Sequence, residues 1–140
     1  MSKNIELLER QLNDYARLFN EADVAITIVD QSGNFIDCNK AYCSLLGFTE
    51  KPISGQFHPN DISPKMQPDG CSSSDKARSM IQLAVQKGQC SFEWMHKKRD
   101  GFEFLSYVTL DIISFNNQDM VRATIHDSTE QRRLERLVKE

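Results

Sequence analysis

A chain of 140 residues, 39% of them apolar and 26% charged, has room for one domain, and at this size about two-thirds of the unfolded surface can be buried without a staple. A formal charge of -3 gives no electrostatic argument for nucleic acid or an anionic membrane surface. No apolar run approaches the roughly 20 residues of a membrane span, and the first twenty residues are too charged for a signal peptide, so the chain reads as soluble, with no membrane segment. Its four cysteines, Cys38, Cys43, Cys71 and Cys90, form no C-x-x-C pair and resemble neither a zinc site nor a disulfide framework. Cys38 and Cys90 fall in strand-like runs, where a thiol acts as a small hydrophobe, and reduced thiols favour a cytoplasmic location.

Residues 3–22 read as a helix in which Ile5, Leu8, Leu12, Tyr15, Phe19 and Ala22 recur three and four apart. Such a stripe either packs on its own domain or forms a seam with a second subunit. The second use makes Ile5, Leu8, Leu12, Tyr15 and Phe19 a homodimer interface. The period then changes. Residues 24–30 are β-branched, 31–34 form a glycine-containing turn, and 34–38 return as a strand. Asn39 suits an N-cap, Ala41, Tyr42, Leu45 and Leu46 give the following short helix an apolar face, and Gly47 ends it.

From Phe48 to Ser74, four prolines and two glycines break any long helix into single turns. Ala77, Met80, Ile81, Ala84 and Val85 then mark a longer helix stopped by Gly88. Cys90, Phe92 and Trp94 alternate with polar residues along a strand, and the charged turn 97–101 leads to a long strand from Phe102 to Ser114. A turn at 115–119 precedes a last strand, Met120 to His126. Asp127 and Glu130 have capping-box spacing and open a helix bearing Leu134, Leu137 and Val138, which should continue into something beyond Glu140. The sum is an α+β fold: a five-stranded antiparallel sheet, short helices on one face, and flanking N- and C-terminal helices.

In order along the chain, Asp30-x-x-Gly33-x-Phe35-x-x-x-Asn39-x-Ala41, Leu45-Leu-Gly-Phe-Thr49, His58-Pro-Asn-Asp-Ile-Ser63, Lys97-Lys-Arg-Asp-Gly101 and His126-Asp-Ser-Thr-Glu-Gln-Arg-Arg133 resemble the successive motifs of a PAS domain. Ser128 stands where the family's exit motif usually has isoleucine. The run from Asp61 to Gly70, Lys76-Ala77 and the segment Phe92 to Lys98 are similar to a subgroup in bacterial chemoreceptors, histidine kinases and diguanylate cyclases. The resemblance implies an N-terminal helix (1–22), a sensor domain (23–127) and the start of a C-terminal signalling helix (128–140). It further implies a homodimer, a small-molecule pocket and a fused C-terminal effector, with Asp127, Thr129 and Glu130 carrying output. A ligand-free version that only dimerises, its cup filled by Phe92, Trp94, Phe102, Phe104 and Leu110, is the rival.

The pocket candidates are His58, Gln67, Phe92, Trp94 and His96. Each has a plainer use: His58 precedes Pro59 and can bond local backbone, Gln67 and Asp69 suit turns, and Trp94 can be core. The irregular segment holds no cysteine, which argues against covalent flavin photochemistry, and no histidine lies on the 73–88 helix, which disfavours haem. The cofactor is otherwise open. No nucleophile with a base and an orienting third group emerges, so the domain is read as non-catalytic.

Overall fold

The computed structural model describes residues 2–127. Helix α1 (Ser2–Glu21) is followed by strands β1 (Ala25–Val29) and β2 (Phe35–Cys38), helix α2 (Lys40–Leu46) and a single 3-10 turn, Pro59–Ile62. Helix α3 (Ser73–Lys87) then leads to three long strands, β3 (Gln89–Lys97), β4 (Glu103–Phe115) and β5 (Gln118–Asp127). All pairings are antiparallel and the spatial order is β2-β1-β5-β4-β3. The expected α+β architecture is therefore present, with the two halves of the sequence joined by the β1–β5 pairing. The proposed exit helix, with Thr129, Glu130, Leu134, Leu137 and Val138, lies outside the described residues. Asp127 is the last residue of β5.

Local chemistry accounts for the chain reversals. The Asp30 carboxylate accepts from the backbone N–H groups of Ser32 (3.0 Å) and Asn34 (2.9 Å), closing the β1–β2 turn. Gly33 sits at φ +89, and a Cβ there would lie 3.5 Å from Ile81 on α3. Between β4 and β5, Asn116 and Asn117 both take positive φ (51 and 61), the two-residue hairpin conformation that asparagine tolerates. Ser72 caps α3 through the Asp75 N–H, and Gly88 ends it at φ 86.

The apolar face of α3 and the single buried face of α2 pack over one side of the sheet. Phe35, Tyr42, Leu46, Phe57 and Ile62 form the centre of the core, next to Val108, Leu110 and Ile125 from the strands. By contrast, no residue of α1 is buried. Leu8, Leu12 and Tyr15 are 59%, 67% and 71% exposed, so that part of the apolar stripe does not pack on the described part of this domain, whereas Phe19 and Ala22 at its end are half-buried.

One side chain joins α2 to the sheet. Asn39 is 1% exposed, and its Oδ1 accepts from the N–H groups of both Tyr42 and Ile26, each at 3.0 Å. Its Nδ2 donates to the Val24 carbonyl at 2.9 Å, while its own N–H donates to the Ile26 carbonyl at 3.1 Å. Alanine would remove the cap and orphan a β1 N–H and a carbonyl beside it. Together these cost about 3 kcal/mol. Asn39→Ala should show that loss in urea denaturation, and Asn39→Asp should not restore it, because a carboxylate has nothing to donate to Val24.

Candidate functional site

The concave sheet face, α3 and the 3-10 turn line a half-open cavity of about 220 Å³. Its floor is β-sheet: Thr27 and Val29 of β1, Phe92, Trp94 and His96 of β3, and Val108 and Leu110 of β4. Ala77 and Ile81 of α3 close one side, and His58, Asn60 and Ile62 of the 3-10 turn close another. The alternation that puts Phe92, Trp94 and His96 on one face of β3 is what brings three of the five sequence candidates together.

Each aromatic is held by a defined bond. The Trp94 indole N–H donates to Ser63 Oγ at 3.1 Å, and Ser63 Oγ donates onward to the Pro59 carbonyl at 3.3 Å. Phe92 meets Trp94 edge to face, with ring centroids 5.8 Å apart. Ser106, directly opposite Trp94 in the β3–β4 register, donates to the Trp94 carbonyl at 2.7 Å. Its single proton is thereby used, so the 2.7 Å contact between Ser106 Oγ and His96 Nδ1 requires an N–H on Nδ1. The His96 ring stacks on Phe104, and burial pulls its pKa down to about 3.

His58 bonds local backbone. Its Nδ1 accepts from the Asn60 N–H at 3.0 Å, and Asp61 returns a bond to the His58 N–H at 3.3 Å, a capping box around Pro59. The same residue lies on the cavity wall. Gln67 stands elsewhere, correcting its assignment to the pocket. It is buried, and its amide runs along the edge strand, with Oε1 accepting from Met95 N–H at 2.8 Å and Nε2 donating to the Met95 carbonyl at 3.1 Å. A third bond goes to Ser73 Oγ at 2.9 Å. Gln67 thus covers the free edge of β3 as a further strand would, and its hydrogen-bonding groups are occupied. Asp69 is a turn former, accepting from the Cys71 N–H and pairing with Lys76 at 3.0 Å.

Phe102, placed by the rival reading inside the cup, is 62% exposed beneath the Lys98 ammonium. Its position in the charged turn, one residue before β4 begins, takes it out of the sheet's alternation. Tyr42 is the residue that sequence reasoning missed. It reads as one more apolar position of α2, yet it lines the cavity and is fully buried. Its hydroxyl makes no hydrogen bond, and burial pushes the phenol pKa upward. The Thr27 hydroxyl beside the phenol opposes that rise. Tyrosine rather than phenylalanine at a buried helix position was the available signal. Cys38 and Cys43 approach to 3.7 Å between sulfurs as free thiols, and burial raises the Cys38 pKa. Among the described residues no group of side chains is arranged to hold a metal ion.

Residues 13–80 match the family model of the PAS domain. The chain carries a PAS domain. Its fold is similar to the PAS domain of an HTR-like protein from Haloarcula marismortui, with 17% identity, a TM-score of 0.74, and coverage of 91% of this chain and 99% of that one. It is also similar to a domain of a sensory box sensor histidine kinase/response regulator from Geobacter sulfurreducens, at 21% identity and TM-score 0.61, covering 84% and 95% of the two chains. A third is the PAS domain, in complex with ethanol, of a LuxR-family transcriptional regulator from Burkholderia thailandensis, at 15% identity and TM-score 0.59, covering 82% and 97%. No curated protein matches the chain. No helix among the described residues is long and apolar enough to cross a membrane.

The buried imidazole makes stability depend on pH. His96 is neutral in the folded state down to about pH 3 but takes up a proton near pH 6.5 when unfolded. The unfolded state therefore binds more protons in that window, and stability falls as pH drops below 6.5, by up to about 1.4 kcal/mol per unit. Urea denaturation of the wild type and of His96→Phe between pH 8 and 5 should give profiles that run parallel above pH 7 and converge as the pH falls, as the variant lacks this limb.

Proposed function

We propose that this PAS domain is a sensory module that holds a small molecule in the cavity and passes its state to a C-terminal effector. The observation that carries the reading is the cavity itself, an apolar chamber of about 220 Å³ with a few polar groups turned into it, the usual form of a small-ligand site. The pocket contacts in this reading are His58, Phe92, Trp94 and His96. The effector is a histidine kinase, diguanylate cyclase or chemoreceptor module, the histidine kinase being supported by the sensor context of the Geobacter sulfurreducens domain. Output leaves through Asp127 at the end of β5 and through Thr129 and Glu130. Binding is tested by native mass spectrometry of the gently purified chain, which should carry the extra mass of one small organic molecule per copy. Bare chain mass in every preparation, with Trp94 fluorescence insensitive to cell extract, would leave only the dimerising role.

The active form in this reading is a homodimer paired through α1. Support comes from the apolar stripe of Ile5, Leu8, Leu12 and Tyr15, each more than half exposed, with Phe19 at the domain end of the helix. Such a stripe is stable in water when a second copy covers it. Leu8→Asp combined with Leu12→Asp should give a monomer in sedimentation velocity, with the sheet signal in circular dichroism intact because neither side chain is part of the domain core. A dimer that persists would move the interface off α1.

A further inference from the structure

We propose that Cys38 and Cys43 form a peroxide-oxidisable dithiol whose disulfide ties the end of β2 to α2. The inference stands apart from the ligand-holding reading and does not need it.

Local geometry brings the two sulfurs together. Cys38 is the last residue of β2, Asn39 caps α2, and Cys43 is the fourth residue of that helix. The cap turns the chain back on itself. Asn39 Oδ1 accepts from the Tyr42 N–H at 3.0 Å, and the Asn39 carbonyl accepts from the Cys43 N–H at 3.3 Å. Sulfurs five positions apart in sequence thereby meet at 3.7 Å as free thiols. A disulfide holds its sulfurs about 2 Å apart, so a closure of less than about 2 Å joins these two. The other thiols are placed differently: Cys71 is exposed, and Cys90 donates to the Met80 carbonyl at 3.3 Å.

Exposure sets the order of reaction. Cys38 is 0% exposed and Cys43 is half-buried, so an oxidant in solution reaches Cys43 first. The Cys43 sulfur attacks one oxygen of hydrogen peroxide. An S–O bond forms, the O–O bond breaks, and the departing hydroxide takes the thiol proton to become water. Cys38 then attacks the Cys43 sulfenic sulfur. The S–S bond forms, the S–O bond breaks, and hydroxide leaves with the Cys38 proton as a second water. Two thiols lose two electrons in all, and one peroxide is reduced to two waters. Burial, with Cys43 beside it, pushes the Cys38 thiol pKa up, which suits it to the second step rather than the first. The Lys51 ammonium, paired with Asp37, acts on Cys38 in the opposite direction and favours the thiolate as it attacks.

The ring closed by this bond contains Asn39 and Tyr42. It therefore encloses the carboxamide that holds α2 to Ile26 and Val24 on the sheet side. Oxidation clamps that junction and reduction releases it, the behaviour of a reversible thiol sensor in a reducing compartment.

The test treats the Cys71→Ser chain with hydrogen peroxide, so that the exposed thiol forms no link between copies. Remaining thiols are blocked with N-ethylmaleimide in denaturant and the tryptic peptides are mapped by mass spectrometry. Cleavage after Lys40 separates the two cysteines, so a disulfide appears as two joined peptides. Those peptides should be joined after peroxide, each without a maleimide adduct, and dithiothreitol should return both thiols. Cys43→Ser should slow the loss of the Cys38 thiol by about tenfold or more, and Cys38→Ser should leave a Cys43 sulfenic acid that dimedone captures. Full maleimide labelling of Cys38 and Cys43, at a peroxide dose that oxidises Cys71 of the unsubstituted chain, would overturn the proposal. Deuterium exchange reads the clamp separately. The Tyr42 and Ile26 amides, both bound to Asn39 Oδ1, should exchange more slowly in the oxidised chain than in the reduced one. Equal or faster exchange would overturn the clamp.

Discussion

The buried carboxamide of Asn39 is the constraint on which the rest of the domain depends. It caps α2 and, through the same oxygen, holds the N–H of Ile26 on β1. A cap made only for the helix would leave α2 free to swing. This one also fixes α2 to the start of β1, because Nδ2 reaches the Val24 carbonyl. Tyr42 is therefore delivered over the sheet at a set height, where Phe35, Phe48 and Phe57 close around it in alternating stacked and edge-on contacts. The cavity exists because that wall is rigid on one side while α3 and the 3-10 turn approach from the other.

Backbone regularities were the legible part of this fold. Val24 to Val29 and the alternating Cys90, Phe92 and Trp94 announce strands because side-chain period and β-branching reflect the pleat directly. Asn39, Gly47, Ser72 and Gly88 announce helix ends because capping is a short-range interaction between neighbours in sequence. The site was legible to the extent that it lies on such a strand: Phe92, Trp94 and His96 reach the cavity by alternation alone. Gln67 failed as a pocket residue for the opposite reason. Its partner, the Met95 backbone, is 28 positions away, and nothing local distinguishes a glutamine that covers a sheet edge from one that stays in a turn. Ser106 was invisible on the same grounds, since its importance comes from standing opposite Trp94 in a register no single segment records.

Polar groups in this core fall into two kinds. Asn39, Ser63, Gln67 and Ser106 are each consumed by bonds that hold one element to another. Tyr42 Oη and His96 Nε2 hold nothing together. A fold whose other buried groups are matched so closely departs from internal consistency at these two positions, and such departures concentrate where function is served. Both residues belong to the wall of the same pocket, one from α2 and one from the edge strand β3.

In the sensory role proposed above, the sheet order would give occupancy of the pocket a route outward. Thr27 and Val29 on β1 and Ala123 and Ile125 on β5 all belong to its wall, and β1 and β5 are hydrogen-bonded neighbours in the middle of the sheet. Ala25 pairs with Ile125, so the beginning of β1 and the end of β5 lie side by side. The first is four residues from the end of α1 at Glu21, and the second is two residues from Asp127. Chain entry and chain exit thus meet at one end of two strands whose inner faces touch the cavity. A molecule that spreads or tightens this pair of strands acts on both flanking segments at once, without a longer path through the packed core. Helix shifts of an ångström or two at such a junction are the usual currency of signalling between paired subunits.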